Sequence, residues 1–181
     1  MRVLLEHAQG LLVDVQERLL PAMDDAPGLL ARTVRLVKGL QMFGVGITVS
    51  EQYPKGLGPT VPELAALLSG PKLAKRSFSC FDDEGLKGAL AAAGRPTVIL
   101  FGIEAHVCLL QTALDLAAAG YHPVVIADAV ASRRTSDRDL ALARLRAEGI
   151  TVTSSESLLF ELCRTADHPQ FKALSNLVKA P

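Results

Sequence analysis

Thr97-Val-Ile-Leu-Phe-Gly-Ile-Glu-Ala-His-Val-Cys-Leu-Leu-Gln-Thr-Ala-Leu-Asp-Leu-Ala-Ala-Ala-Gly120 is the stretch that decides the fold. Thr97 to Gly102 is an apolar run of strand length, His106 to Ala119 carries helical period, and Gly120 sits where a helix needs a left-handed closing residue. A second Val/Ile run, His122 to Ala127, follows at once. Strand, helix and strand in that order make the pattern of an α/β fold with a parallel sheet.

Outward from this unit the pattern repeats. Further strands are expected at Gly10 to Val15, Val45 to Ser50, Lys72 to Lys75 and Ile150 to Thr153. Helices are expected at Leu29 to Phe43, Val61 to Leu68, Asp83 to Ala93 and Ser136 to Glu148, followed by two short ones at Ser155 to Arg164 and Pro169 to Val178. Gly44, Gly70, Gly94 and Gly149 stand just beyond helical runs, and Ser136 with Asp139 resembles a helix-opening box. No linker, repeat or low-complexity tract interrupts the chain. The expectation is one domain over residues 1–181, a three-layer αβα sandwich of Rossmann-like type with a six-stranded, mostly parallel sheet. Ligands of such sheets bind beyond the carboxyl ends of the strands, near the point where strand order reverses.

The composition narrows the function. With 181 residues, 49% of them apolar, the chain suits one large core. Its 19 basic residues balance its 19 acidic ones, so no general positive field gathers nucleic acid or anionic lipid. A small-molecule substrate is expected, with no nucleic-acid or membrane partner. The N-terminal apolar run breaks at Glu6 and His7, short of a signal peptide, and no run approaches the roughly 20 residues that cross a bilayer. These features predict a cytoplasmic protein. Three cysteines with no paired spacing fit neither a disulfide framework nor a zinc site.

Three residues near strand ends carry the most chemical information. Asp14, in Leu11-Leu-Val-Asp-Val-Gln16, is a charge where an apolar strand is ending; it reads as a cap for the next turn or as a partly buried general base. Lys75, opening Lys75-Arg-Ser-Phe-Ser-Cys-Phe81, reads as a solvated loop residue or as a cation that stabilises a thiolate or oxyanion, with Arg76 competing for that role. Cys108 falls in a first helical turn, where unpaired amides and the helix dipole favour thiolate. The apolar stripe of that helix reads Leu110, Ala113, Leu114 and Ala117, while Cys108 aligns with Thr112 and Asp115. It is either a nucleophile or a buried structural thiol. Cys163 lies on an apolar helix face and suits packing; the context of Cys80 leaves its role open.

His106, two residues from Cys108, points away from it and does not form a local dyad. His7, His122 and His168 are scattered, and no pair has metal-ligand spacing, so no metal and no cofactor are expected. The turn after the first strand has no glycine, and no Gly-Lys-Ser/Thr sequence occurs, which disfavours nucleotide binding.

Five segments together resemble the isochorismatase-like cysteine hydrolase family, nearest the branch of isochorismatase domain-containing proteins. They are Leu12-Val-Asp-Val-Gln-Glu17; Lys75-Arg-Ser-Phe-Ser79; Gly102-Ile-Glu-Ala-His-Val-Cys108 with Gln111-Thr-Ala-Leu-Asp115; Asp128-Ala-Val-Ala-Ser-Arg133; and His168-Pro-Gln-Phe-Lys172. The resemblance runs nearly end to end. It implies a catalytic triad of Asp14, Lys75 and Cys108, choosing Lys75 over Arg76. It also implies a non-proline cis peptide between Ile103 and Glu104 that turns backbone amides, including that of Cys108, toward an oxyanion. The implied activity is metal-independent hydrolysis of a small amide-like substrate through a Cys thioester, in a homo-oligomer of two subunits or more.

Departures refine this. The nicotinamidase branch carries an aspartate and histidines for a metal after the second strand, where this chain reads Ser50-Glu-Gln-Tyr-Pro54. Isochorismatase proper cleaves an enol ether and lacks the cysteine, so Cys108 favours amide-type hydrolysis. Gln16 and Glu17, with Phe78 and Phe81, read either as a border of the substrate pocket or as ordinary loop packing; Arg133 reads as orienting an anionic substrate or joining a subunit contact, and Leu57 and Pro59 as meeting a neighbouring subunit. The rival readings are a non-catalytic oligomeric interaction protein of the same fold and a thiol redox sensor acting through Cys108.

Overall fold

The computed structural model describes residues 2–179. Six strands, β1 (Ala8–Val13), β2 (Ile47–Gln52), β3 (Lys72–Lys75), β4 (Thr97–Ile103), β5 (His122–Ala131) and β6 (Thr151–Thr153), form one sheet in the order β3-β2-β1-β4-β5-β6. Every pairing is parallel, a stricter arrangement than the mostly parallel sheet expected. The helices are α1 (Ala26–Met42), α2 (Pro54–Leu57), α3 (Pro62–Ala65), α4 (Glu84–Ala93), α5 (Leu110–Ala118), α6 (Thr135–Ala147), α7 (Ser155–Cys163) and α8 (Phe171–Lys179).

A strand covered on both faces is apolar at every position, and its alternate residues feed opposite cores. Leu12, Ile99, Phe101 and Ile103 enter one core with Leu36 and Leu40 of α1, Leu158 of α7 and Leu174 of α8. Leu11, Val13, Val98 and Leu100 enter the other with Leu90 of α4, Leu116 of α5 and Leu145 of α6. The result is the expected αβα sandwich.

Order reverses between β1 and β4, and the two strands run unusually close where they end. Gly102 has φ 120°, and a Cβ on it would lie 2.1 Å from the carbonyl oxygen of Val13. Only glycine permits that approach. Asp14 follows at once in a left-handed conformation, φ 53°, which ends β1 at Val13 instead of Val15.

Other boundaries also moved. β5 runs on to Ala131 because its register against β4 shifts between Leu100 and Gly102, so that Gly102 faces Val130. Asp128, in the shifted segment, accepts hydrogen bonds from the Ser155 amide and hydroxyl at the start of α7. α3 is half the expected length, and Gly70 is absent from the glycines with positive φ. Ser136 is no helix-opening residue: α6 begins at Thr135, whose hydroxyl donates to Asp24, and its N-cap Arg134 makes no side-chain cap bond.

The helix expected from His106 begins with a π turn, Ala105–Leu109, before α5 proper. A π turn takes in an extra residue; the buried residues here are Leu109, Leu110, Thr112, Ala113 and Leu116, so Leu110 and Ala113 keep their expected places while Leu114 is half-buried and Ala117 exposed.

Candidate active site

The carboxyl ends of β1, β2 and β3 place Asp14, Ser50, Gln52 and Lys75 around one buried point. The pairing of Val13 with Ser50, and of Gln52 with Lys75, fixes this arrangement. Lys75 Nζ lies 2.7 Å from Asp14 Oδ2, and neither side chain is exposed to solvent. Lys75 also donates to Gln52 Oε1 at 2.6 Å and to the carbonyls of Phe78 and Ser77 at 3.0 and 3.3 Å. The other Asp14 oxygen accepts the Ser50 hydroxyl at 2.7 Å. Asp14 is therefore not a helix cap, and Lys75 is not a solvated loop residue. Arg76, the competitor, turns outward and stacks over the Tyr53 ring at 4.3 Å.

Cys108 faces this pair from the π turn and is 5% exposed. Burial first, then the Asp14 charge, push its thiol up to about 12 against the opposing pull of Lys75, and a hydrogen bond to Asp14 adds to the rise. The helix end favours thiolate only weakly and locally, and burial and the carboxylate push the other way. Cys80, fully buried on the same side, is pushed up to about 11, again by burial and then Asp14. Burial alone would lower Lys75, but the Asp14 charge, the two thiols and the hydrogen bond to Asp14 outweigh it and hold the ammonium above its ordinary range.

Around Cys108 the π turn folds back on itself: the amides of Val107 and Leu109 both donate to the Glu104 carbonyl. The Ile103–Glu104 peptide is cis. Glu104 Oε2 accepts both the Arg133 amide at 3.0 Å and Arg133 Nε at 3.1 Å. That arginine side chain is 61% exposed. His106 is engaged with Ser132 Oγ at 2.9 Å, away from the thiol.

The expected pocket residues divide. Gln16 is buried and does not border a pocket: its amide donates to the carbonyls of Gln52 and Gly58 and accepts the Gln52 amide, fastening the loop after β2 to the chain after β1. Glu17 and Arg18 extend that fastening to Pro59 and Leu57 through backbone hydrogen bonds. Phe81 is not a cleft wall either; its ring packs edge-on against Tyr121 and under Lys87. Phe78, 54% exposed, stands at the rim. A cavity of ≈ 510 Å³ opens along the outer edge of β3, lined by Tyr53, Lys55, Lys75, Arg76 and Asp82 among others, so it reaches Lys75 but includes neither Asp14 nor Cys108.

Cys163 packs in the α1/α7 core, as its helix face predicts. Ser50 and Gln52 were not anticipated, although both lie at a strand's carboxyl end, where ligand-facing groups of parallel sheets gather. Among the described residues no group of three or more His, Cys, Asp or Glu side chains is arranged to hold a metal.

Parallel αβα layers, with an Asp–Lys pair buried beneath a thiol at the switch point, define an α/β protein equipped for thiol and acid–base chemistry. The isochorismatase domain matches residues 10–157, and the chain belongs to that family. Isochorismatase domain-containing protein 1 of Danio rerio is 45% identical over 169 residues, covering 92% of this chain but only 59% of the relative. The chain thus spans less than two thirds of that relative's length. The MAR1 ribonuclease of Caenorhabditis elegans has a TM-score of 0.92 at 34% identity, covering 100% of this chain and 95% of its own. The YcaC gene product of Escherichia coli, an octameric hydrolase of unknown specificity, has a TM-score of 0.93 at 25% identity, covering 98% and 89%. No helix among the described residues is long and apolar enough to cross a membrane.

Proposed function

We propose that the protein is a metal-independent cysteine hydrolase acting on a small amide-like substrate, with Cys108 as nucleophile, Asp14 as general base and Lys75 as the cation that pairs with Asp14 and orients it. The observation that carries this reading is the Asp14–Lys75 pair, closed off from water at 2.7 Å, with its carboxylate against the Cys108 thiol.

Because the resting thiol is protonated, its proton must leave during the attack. Asp14 accepts it as Cys108 Sγ bonds to the amide carbon, and the carbonyl oxygen takes the electron pair. Backbone amides of the Glu104–Cys108 turn stabilise that oxyanion. As the tetrahedral carbon collapses, the C–N bond breaks and Asp14 returns the proton to the leaving amine. Water then attacks the thioester with Asp14 again as base, releasing the acid and restoring the Cys108 thiol. Lys75 spends its hydrogen bonds on Asp14, Gln52 and the Phe78 carbonyl, so it acts through Asp14 instead of touching substrate.

A single domain over residues 1–181, homo-oligomeric assembly and a cytosolic setting belong to this reading. The octameric neighbour supports assembly, and three cysteines without a disulfide suit a reducing compartment.

The test is a panel of small amides given to wild type and Cys108→Ala, with adducts mapped by mass spectrometry. Turnover lost in the variant and an acyl adduct on Cys108 are expected. The worm neighbour's name makes RNA a required arm of the same panel. RNA cleavage that survives Cys108→Ala, or an adduct on Cys80 in place of Cys108, overturns the proposal.

A further inference from the structure

Cys80 is the one buried thiol near the site that the proposed chemistry leaves unused, and its polar contacts are more specific than packing requires. Its amide donates to Thr112 Oγ1 at 2.8 Å, and that hydroxyl donates to the Cys108 carbonyl at 2.6 Å. One threonine therefore ties the main chains of the two cysteines together. The Cys80 thiol itself lies 3.5 Å from Ser50 Oγ, which lies 2.7 Å from Asp14 Oδ1. Cys80, Ser50, Asp14 and Thr112 are all fully buried, so water answers none of these groups.

Proton counting fixes the direction of the chain. An ionised carboxylate only accepts, so the single Ser50 proton goes to Asp14 Oδ1. Ser50 Oγ is then left with acceptor capacity that the Cys80 S–H fills; the Thr112 hydroxyl, which also reaches the thiol, already accepts the Cys80 amide and spends its proton on the Cys108 carbonyl. The alternative acceptor for Ser50, the Leu12 carbonyl at 3.5 Å, is too distant to compete while Asp14 is charged.

We propose that Cys80 is a positioning residue: its thiol donates to Ser50, Ser50 donates to Asp14, and this chain holds the carboxylate in place to receive the Cys108 proton. The inference rests on the reading of Asp14 as general base. It also gives the two thiols separate tasks. Cys108 loses its proton in the reaction, and Cys80 keeps its own throughout. Lys75 holds one carboxylate oxygen and the Cys80–Ser50 chain holds the other, so both sides of Asp14 are fixed by side chains from other strands and turns.

Infrared spectroscopy of the whole protein tests the chain without any substrate. The S–H stretching band assigned by subtracting the Cys80→Ala spectrum is expected at the lowered frequency of a donating thiol, and Ser50→Ala moves it up. A Cys80 band already at the unbonded frequency, or one unmoved by Ser50→Ala, overturns the proposal. The kinetic arm uses the amide that wild type turns over. Cys80→Ala is expected to lower kcat about three- to tenfold with KM unchanged, the scale of one neutral hydrogen bond, while Cys80→Ser, which keeps a donor, restores most of the loss. Full kcat in Cys80→Ala, or equal impairment in Cys80→Ser, contradicts the proposal. Asp14→Asn separates the two claims: turnover surviving in that variant removes the general base, while the infrared band still reports whether the chain exists.

Discussion

Beyond β1, β2 and β3, the two charges that meet at the site are buried and answered inside the protein, Lys75 by Asp14, Gln52 and main-chain carbonyls and Asp14 by Lys75 and Ser50, while Arg76 turns outward onto Tyr53. Beyond β4 and β5 the rim is open. Arg133 spends its Nε and its amide on Glu104 and offers the remaining guanidinium to solvent. Cys108 stands between these halves. A closed half fixes protonation states, since a buried pair cannot exchange its partners for water. An open half can meet a substrate, since its donors are uncommitted. In the proposed mechanism, proton transfer falls to the first half and substrate contact to the second.

The largest effects should come from the closed half and from Cys108. Asp14→Asn and Cys108→Ala are each expected to lower amide turnover by about 10³-fold or more, the scale on which a catalytic unit fails when one member is removed. Steady-state kinetics with active-site titration checks this, and a loss below about tenfold would move the chemistry elsewhere.

Lys75→Met should strip the counter-charge from buried Asp14 and cost about 3–5 kcal/mol of unfolding free energy in urea. A stable, active Lys75→Met protein would break the comparison between the halves.

Alkaline pH provides a smaller effect of defined sign. Cys80, Cys108 and Lys75 all hold their protons more tightly folded than unfolded. The stability they contribute is complete below the ordinary thiol value of 9.0 and drains as pH rises through about 11 and about 12. Urea midpoints measured stepwise across that window should fall, and fall less in a Cys80→Ala, Cys108→Ala double variant. In the open half, Arg133→Ala should change little: KM for an anionic amide rises about two- to fivefold with kcat nearly constant, as for an exposed charge.

Much of this was legible in the sequence because the signals are local. Val/Ile runs separated by helical periods define the layers, and Asp14, Lys75 and Cys108 each stand where such a run ends or a helix begins. What failed depended on geometry that neighbours in sequence do not share. Of the stripe read as Leu110, Ala113, Leu114 and Ala117, the first two are buried and the later two slip toward solvent, because a π turn over Ala105–Leu109 breaks the 3.6-residue count from which the phase was read. Gln16 and Phe81 were placed in the pocket by closeness in sequence, but one bonds to main chain across β2 and the other packs on Tyr121. Ser50 and Gln52 gain meaning only through cross-strand register with Val13 and Lys75. The thiolate expected for Cys108 rested on a helix dipole and left out the carboxylate that the fold sets against it.

The central claim is that burial and then the Asp14 charge keep Cys108 protonated at rest, and that Asp14 takes its proton during attack. The rate of Cys108 alkylation by iodoacetamide against pH, read by peptide mass spectrometry in wild type and Asp14→Asn, tests it most directly. The account predicts a wild-type midpoint well above the ordinary 9.0, toward about 12, and a fall in that midpoint when Asp14 loses its charge. A wild-type midpoint at or below 9.0, or one indifferent to Asp14→Asn, would contradict it.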